Sequence, residues 1–392
     1  MTRSITFAFL PSTVAIGALC ASTGIAQAVY LQTDLVSDVP GLAELTDSGL
    51  VNPWGVSFRG TSPFWISNQG SDTTTLYAVT GPTTVSKVDI NPPSGFVGIP
   101  RTASGPQGPT GQVSNSNASA FDVGNGGNGH AADFIFANLN GTISAWNGGQ
   151  DAFVQATTPG AVYTGLAINH ADTRLYAANV SAGAIDVFNR AFAPVHLGAN
   201  AFATPSAISA LGLVPFNVQD IGRRVYVTYA LPSPTAQTTA TAGDGAVAVF
   251  SESGAFRKMI VGGPLASPWG VAFAPSAFGT FSGDLLVGNF SYVDGGIDAF
   301  NPATDAFVGS IAINPGAGQS AGGLWDLTFG TGGRNGNPNA LYFTDGINGQ
   351  SGGLFGAITS VPEPSTWGMM ALGFAGLGFF GHRSPRRRSA IA

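Results

Sequence analysis

Short apolar runs of about five to seven residues, bounded by glycine, proline or asparagine, dominate the middle of the chain and recur as a set. Runs of that length, rich in Val, Ile, Phe and Thr, predict strands rather than helices. One unit repeats: a small-residue turn, an inner strand, a second strand often ending in Asn, and a glycine-led third strand ending in an aromatic residue. Its first copy is Asn52-Pro53-Trp54-Gly55-Val56-Ser57-Phe58, then Phe64-Trp65-Ile66-Ser67-Asn68, then Thr75-Leu76-Tyr77-Ala78-Val79. The fifth is nearly its twin, with Ser267-Pro268-Trp269-Gly270-Val271-Ala272-Phe273, Leu285-Leu286-Val287-Gly288-Asn289 and Gly296-Ile297-Asp298-Ala299-Phe300. Three copies between them end in Trp146, Phe188 and Phe250, and a sixth begins at Leu324-Trp325-Asp326-Leu327.

Repetition at this spacing marks a repeat architecture. Six units of about four short strands predict an all-β, six-bladed β-propeller over residues 29–360. A propeller has to close, and the sixth unit runs out after three strands. The alternating segment Tyr30-Leu31-Gln32-Thr33-Asp34-Leu35-Val36 is expected to supply the missing outer one. Two β-sandwich domains are the competing arrangement. The Gly/Pro/Ser/Asn-rich stretch 91–117 reads as an inserted loop.

The ends depart from this pattern. Arg3, an apolar run over residues 5–25 and Ala26-Gln27-Ala28 describe a secretory signal peptide, residues 1–28, with cleavage after Ala28 and export by the Sec machinery. At the other end, residues 361–392 fall into three parts. Val361-Pro362-Glu363-Pro364 is rigid, because each proline fixes φ and restricts its predecessor. Residues 366–381 carry no charge and as a helix would measure about 24 Å, a transmembrane segment once its flanks are counted. A basic cluster that includes Arg386, Arg387 and Arg388 follows, which should stay cytoplasmic and leave the upstream domain outside.

This three-part tail resembles the PEP-CTERM sorting signal of Gram-negative bacteria. The resemblance implies recognition, and cutting near Pro362-Glu363-Pro364, by an exosortase-type membrane protease. It also implies a location at the cell surface or outside it, after transient anchoring in the inner membrane. Carriers of the signal are often tied to extracellular polysaccharide and biofilm matrix. The Trp-Gly-Val and Gly-Ile-x-x-Phe repetition resembles NHL-type six-bladed propellers, and the whole domain looks like an uncharacterised family of PEP-CTERM-tailed propellers.

Composition narrows the chemistry. The chain holds 56 Gly and 25 Pro, with 9% charged residues. Between residues 29 and 361 there are 20 acidic residues against 10 basic ones, so no basic face exists for nucleic acid. Cys20 is the single cysteine and lies in the leader, which leaves the mature domain without thiol chemistry.

Aligning the units on the apolar residue that opens each inner strand gives a column just before it: Gly55, Asp122, Gly165, Asp220, Gly270, Asp326. Three aspartates on alternate blades would meet near one mouth of the channel, where they would suit Ca²⁺ or a polar ligand. The bland reading makes each a local turn cap. Asn68, Asn138, Asn179 and Asn289, with Asp345 in the same column, read as structural. Residues 124–129 fit a dinucleotide fingerprint by letter, and residues 318–322 a nucleophile elbow, but both lack the strand–helix context these need. His130, His170 and His196 follow no metal-ligand spacing. The primary expectation is therefore a binding protein for a polysaccharide or matrix protein, with no catalytic residue assigned. The alternative is a calcium-type propeller hydrolase or lactonase.

Overall fold

The structure, a computed structural model, describes residues 29–90 and 95–361. The leader with Ala26 and Ala28, and the tail from Pro362 through Arg388, lie outside the described residues.

The chain folds as six antiparallel sheets in succession, the blades of a six-bladed propeller. Blade 1 comprises Pro53–Ser57, Phe64–Asn68 and Thr73–Val79, with Val85–Lys87 and Phe96–Gly98 sharing its outer edge. Blade 2 comprises Pro109–Ser114, Phe134–Asn138, Thr142–Trp146 and Phe153–Thr157. Blade 3 has three strands, Tyr163–Ile168, Arg174–Asn179 and Ala184–Asn189. Blade 4 comprises Val214–Ile221, Arg224–Ala230, Ala246–Ser251 and Phe256–Val261. Blade 5 comprises Pro268–Phe273, Leu285–Asn289, Gly296–Phe300 and Phe307–Ile311.

Blade 6 is made from both ends of the domain. Its first three strands are Leu324–Phe329, Ala340–Asp345 and Leu354–Val361. The fourth position is taken by Val29–Ser37, antiparallel to Leu354–Val361 with Val29 opposite Val361 and Ser37 opposite Leu354. Leu45–Thr46 adds a parallel edge.

Hydrophobic packing runs around the ring. Each inter-blade gap has its own core: Val113, Ile135 and Leu175 between blades 2 and 3, Val218 and Tyr176 between blades 3 and 4, Val247 and Val271 between blades 4 and 5. Leu286 with Phe343 fills the gap between blades 5 and 6, and Phe64 with Phe355 the one between blades 6 and 1. Trp65 and Phe134 stack at 3.9 Å between blades 1 and 2. Both faces of the middle strands are thus buried, so they read as continuous apolar runs instead of alternating ones. Separate sandwiches would not pack the sixth sheet on the first.

Stretch 91–117 is not a plain inserted loop. It holds the outer strand Phe96–Gly98 and the inner strand of blade 2, Pro109–Ser114. Its glycines and prolines disguised an inner strand whose polar residues face neighbouring blades and not water.

Candidate functional site

The inner strands meet at the propeller axis, and their approach dictates small residues. A Cβ on Gly55 would stand 2.6 Å from the Thr110 carbonyl and 3.1 Å from the Gly111 Cα. One on Gly111 would stand 2.9 Å from the Gly165 Cα, and one on Gly165 would stand 2.8 Å from the Asn217 Cα. One on Gly270 would stand 2.9 Å from the Leu327 nitrogen. Contacts this short to backbone leave no room to relax. The true column around the axis is therefore Gly55, Gly111, Gly165, Asn217, Gly270, Asp326.

Two positions of the expected column are thereby corrected. Asp122 is not on an inner strand: it is exposed, in an isolated bridge to Ala131 ahead of the second strand of blade 2. Asp220 lies three residues beyond Asn217 on the inner strand of blade 4. Phe121-Asp122-Val123 and Asp220-Ile221 copy the letters of Trp325-Asp326-Leu327, while the position itself selects for size. Among the described residues no group of three or more His, Cys, Asp or Glu could hold a metal ion, so the three aspartates do not converge.

The two non-glycine members span neighbouring strands. Asn217 Nδ2 donates to the Trp269 carbonyl at 2.9 Å. Asp326 accepts from the Val56 N–H at 2.6 Å, the Leu327 N–H at 2.8 Å and Gln219 Nε2 at 3.3 Å, tying blade 6 to blades 1 and 4. Gln219 Oε1 in turn accepts the Val271 N–H at 2.7 Å. Burial pushes the Asp326 carboxyl up to about 7 against the pull of these donors.

Asp326 floors a cavity of about 430 Å³ to which all six inner strands contribute. Ser57, Ser114, Gln219 and Thr328 give it polar walls, and Phe58, Phe273 and Phe329 line it as well. Asp220 lines the same mouth, its carboxyl raised to about 7 by burial and then by the negative charge of Glu252. Three buried polar atoms here, Ser57 Oγ, Asn217 Oδ1 and Asp220 Oδ2, have no hydrogen-bond partner. Sequence reasoning missed Asn217, Gln219 and Ser57; the recurrence of Pro-x-Gly in Pro53-Trp54-Gly55, Pro109-Thr110-Gly111 and Pro268-Trp269-Gly270 was the available signal.

At the other end of the inner strands an aromatic cluster blocks the axis. Trp54 and Trp325 stack at 3.4 Å between ring centroids, Trp269 meets both edge-on, and Phe216 and Phe290 complete the group. A second cavity, about 410 Å³, lies on this face.

The asparagine column serves the blades. The Asn68 amide donates to Thr75 Oγ1 at 2.9 Å, Asn138 to Ser144 Oγ at 3.1 Å, Asn179 to Asp186 at 2.9 Å and Asn289 to Asp298 at 2.7 Å. Each ties a second strand to a third. Asp345 breaks the pattern: its third-strand counterpart is Gly356, its Oδ1 has no partner, and burial raises its carboxyl to about 7.

These features define the class: a six-bladed propeller with a plugged axial channel and a cavity at either mouth. Residues 360–387 match the PEP-CTERM protein-sorting motif. The motif implies export from a Gram-negative cell and processing by an exosortase-type membrane protein. An uncharacterized protein of Acanthamoeba polyphaga mimivirus is 29% identical over 334 residues, covering 83% of this chain and 78% of its own. A second mimivirus protein, also uncharacterized, is 29% identical over 277 residues, covering 68% of this chain and 70% of its own. A solved streptogramin B lyase superposes with a TM-score of 0.51 at 10% identity, covering 86% of this chain and 98% of its own. That likeness is one of fold.

Proposed function

We propose that this protein is an exported propeller that binds an extracellular matrix component, a polysaccharide first, in the mouth floored by Asp326. The observation that carries the reading is the set of buried, unpartnered polar atoms, Ser57 Oγ, Asn217 Oδ1 and Asp220 Oδ2, in a cavity built by all six blades. Leaving such groups unpaired costs stability, and a ligand hydroxyl recovers it. Hydroxyl and amide donors beside phenylalanine rings suit the alternating polar and apolar faces of a sugar. The test is a polysaccharide array with the full-length secreted protein, repeated with Ser57→Ala and Asp220→Asn. Binding should weaken about tenfold in each variant while the protein stays folded. A folded protein that retains no polysaccharide, or variants that bind as well as the parent, would reject the proposal.

The calcium-type hydrolase reading rests on Asp220 and Asp326 sharing this mouth. It requires the cation to be held by two carboxylates without Asp122. Calcium binding by equilibrium dialysis, abolished in Asp220→Asn, would favour it over a purely binding role.

The sorting proposal completes the picture. Signal cleavage after Ala28 frees Val29–Ser37 to close the ring on Leu354–Val361. Residues 366–381 then anchor the chain in the inner membrane, with Arg386, Arg387 and Arg388 on the cytoplasmic side, until cutting near Pro362-Glu363-Pro364 releases it to the surface. Intact mass of the cell-surface form tests both cuts. A mass that still includes residues 366–392 would overturn release.

A further inference from the structure

The opposite mouth carries a different chemistry. Its cavity of about 410 Å³ falls in the size range of small-molecule pockets, and none of its lining side chains is charged. Trp54, Phe216, Phe290 and Trp325 form its apolar walls.

Its polar atoms are locked by a network that strains the backbone. Asn52 and Gln350 are non-glycine residues in the left-handed region, with φ of 45° and 71°. Asn52 Oδ1 accepts Trp325 Nε1 at 3.0 Å, and its Nδ2 donates to Gln69 Oε1 at 2.7 Å and Gln350 Oε1 at 3.1 Å. Gln350 Nε2 donates to the Tyr292 hydroxyl at 2.6 Å. Such backbone persists where surrounding bonds over-determine it, and it gathers at ligand clamps.

Within this order one donor is left over. Trp269 Nε1 donates to the Thr164 carbonyl at 2.8 Å and Trp325 Nε1 to Asn52. Trp54, only 5% exposed, has an Nε1 with no partner. An indole N–H can only donate, so what it lacks is an acceptor.

We propose that this cavity is a second binding site, for a small neutral ligand with an apolar body and a carbonyl or ether oxygen that accepts from Trp54 Nε1. The uncharged lining excludes anions and cations, whose desolvation nothing here would offset. The site is independent of the polysaccharide proposal, which concerns the other mouth.

Nile red, a neutral dye with an apolar body and one carbonyl, is the probe. Titrated with the full-length protein, it should show enhanced, blue-shifted emission that saturates. Leu139→Trp and, as a second filler at an exposed rim position, Ser181→Trp should abolish the saturable signal. Trp54→Phe should weaken it about tenfold in a protein that stays folded, while Ser57→Ala in the other mouth leaves it intact. Absence of saturable emission, or equal affinity in folded filler variants, would overturn the site. Equal affinity in Trp54→Phe would overturn the assigned donor.

Discussion

At the scale of single residues, the inner-strand column shows what a position can demand. Gly111 has its would-be Cβ directed at the backbone of blade 3, and backbone cannot swing aside as a side chain does. Gly111→Ala is expected to cost about 2–3 kcal/mol, measured by denaturant unfolding, although alanine is the most conservative replacement available. Asp345 is the opposite case, a tolerated misfit. It stands where four blades place asparagine, and burial alone drives its carboxyl to about 7. Asp345→Asn should raise Tm by a few degrees at pH 8 and change it little at pH 4, below which the unfolded chain also holds the proton. Asparagine and glycine columns were legible as letters. Which aspartates belonged to the axis was not, because Asp122-Val123 and Asp220-Ile221 imitate Asp326-Leu327 in everything except distance from the axis.

At the scale of elements, blade 6 depends on a strand from the far end of the chain. Val29–Ser37 pairs along its whole length with Leu354–Val361, and Leu35 and Val36 are fully buried beside Phe355. A proline at Thr33, opposite Ala357, removes a ladder donor in mid-strand. Thr33→Pro should lower Tm by several degrees, and hydrogen exchange should quicken in Leu354–Val361 before it does in blade 3. Uniform acceleration around the ring would show that the strand acts on no particular blade. The alternation of residues 30–36 was readable, and so were the second and third strands. The inner strand Pro109–Ser114 was hidden, since Thr110 and Gln112 spend their polar groups between blades. Thr110 Oγ1 donates to the Ala137 and Tyr163 carbonyls, and Gln112 Nε2 to the Trp65 carbonyl.

At the scale of the whole molecule, buried carboxyls set the response to pH. Asp220, Asp326 and Asp345 are each raised to about 7, chiefly by burial. Between the ordinary aspartate range, near 4, and about 7 the unfolded chain has released protons that the folded chain still holds. Stability therefore falls as pH rises through that window. Asp47 opposes this at the acid end. Burial would raise its carboxyl, but Lys87 at 2.8 Å and the Tyr77 hydroxyl at 2.7 Å outweigh that and hold it below its usual value. Its contribution is present above about pH 4 and is lost as pH falls through its lowered value. Thermal unfolding should thus show a maximum near pH 4, with Tm at pH 7.5 lower than at pH 4. A Tm that climbs steadily from pH 5 to 8 would contradict the burial of these groups.

The sequence by itself determined the second and third strands of the blades, their repetition in six units and the sorting signal at the tail, because each is written in local composition and spacing. Only the tertiary structure decided which residues reach the axis, since that depends on how closely six inner strands approach one another, a distance no local pattern encodes. It moved the candidate site from a ring of three aspartates to a mouth floored by Asp326 alone, with Ser57 and Asp220 beside it. It also turned three tryptophans that read as repeat markers into a plug with one indole N–H left to offer.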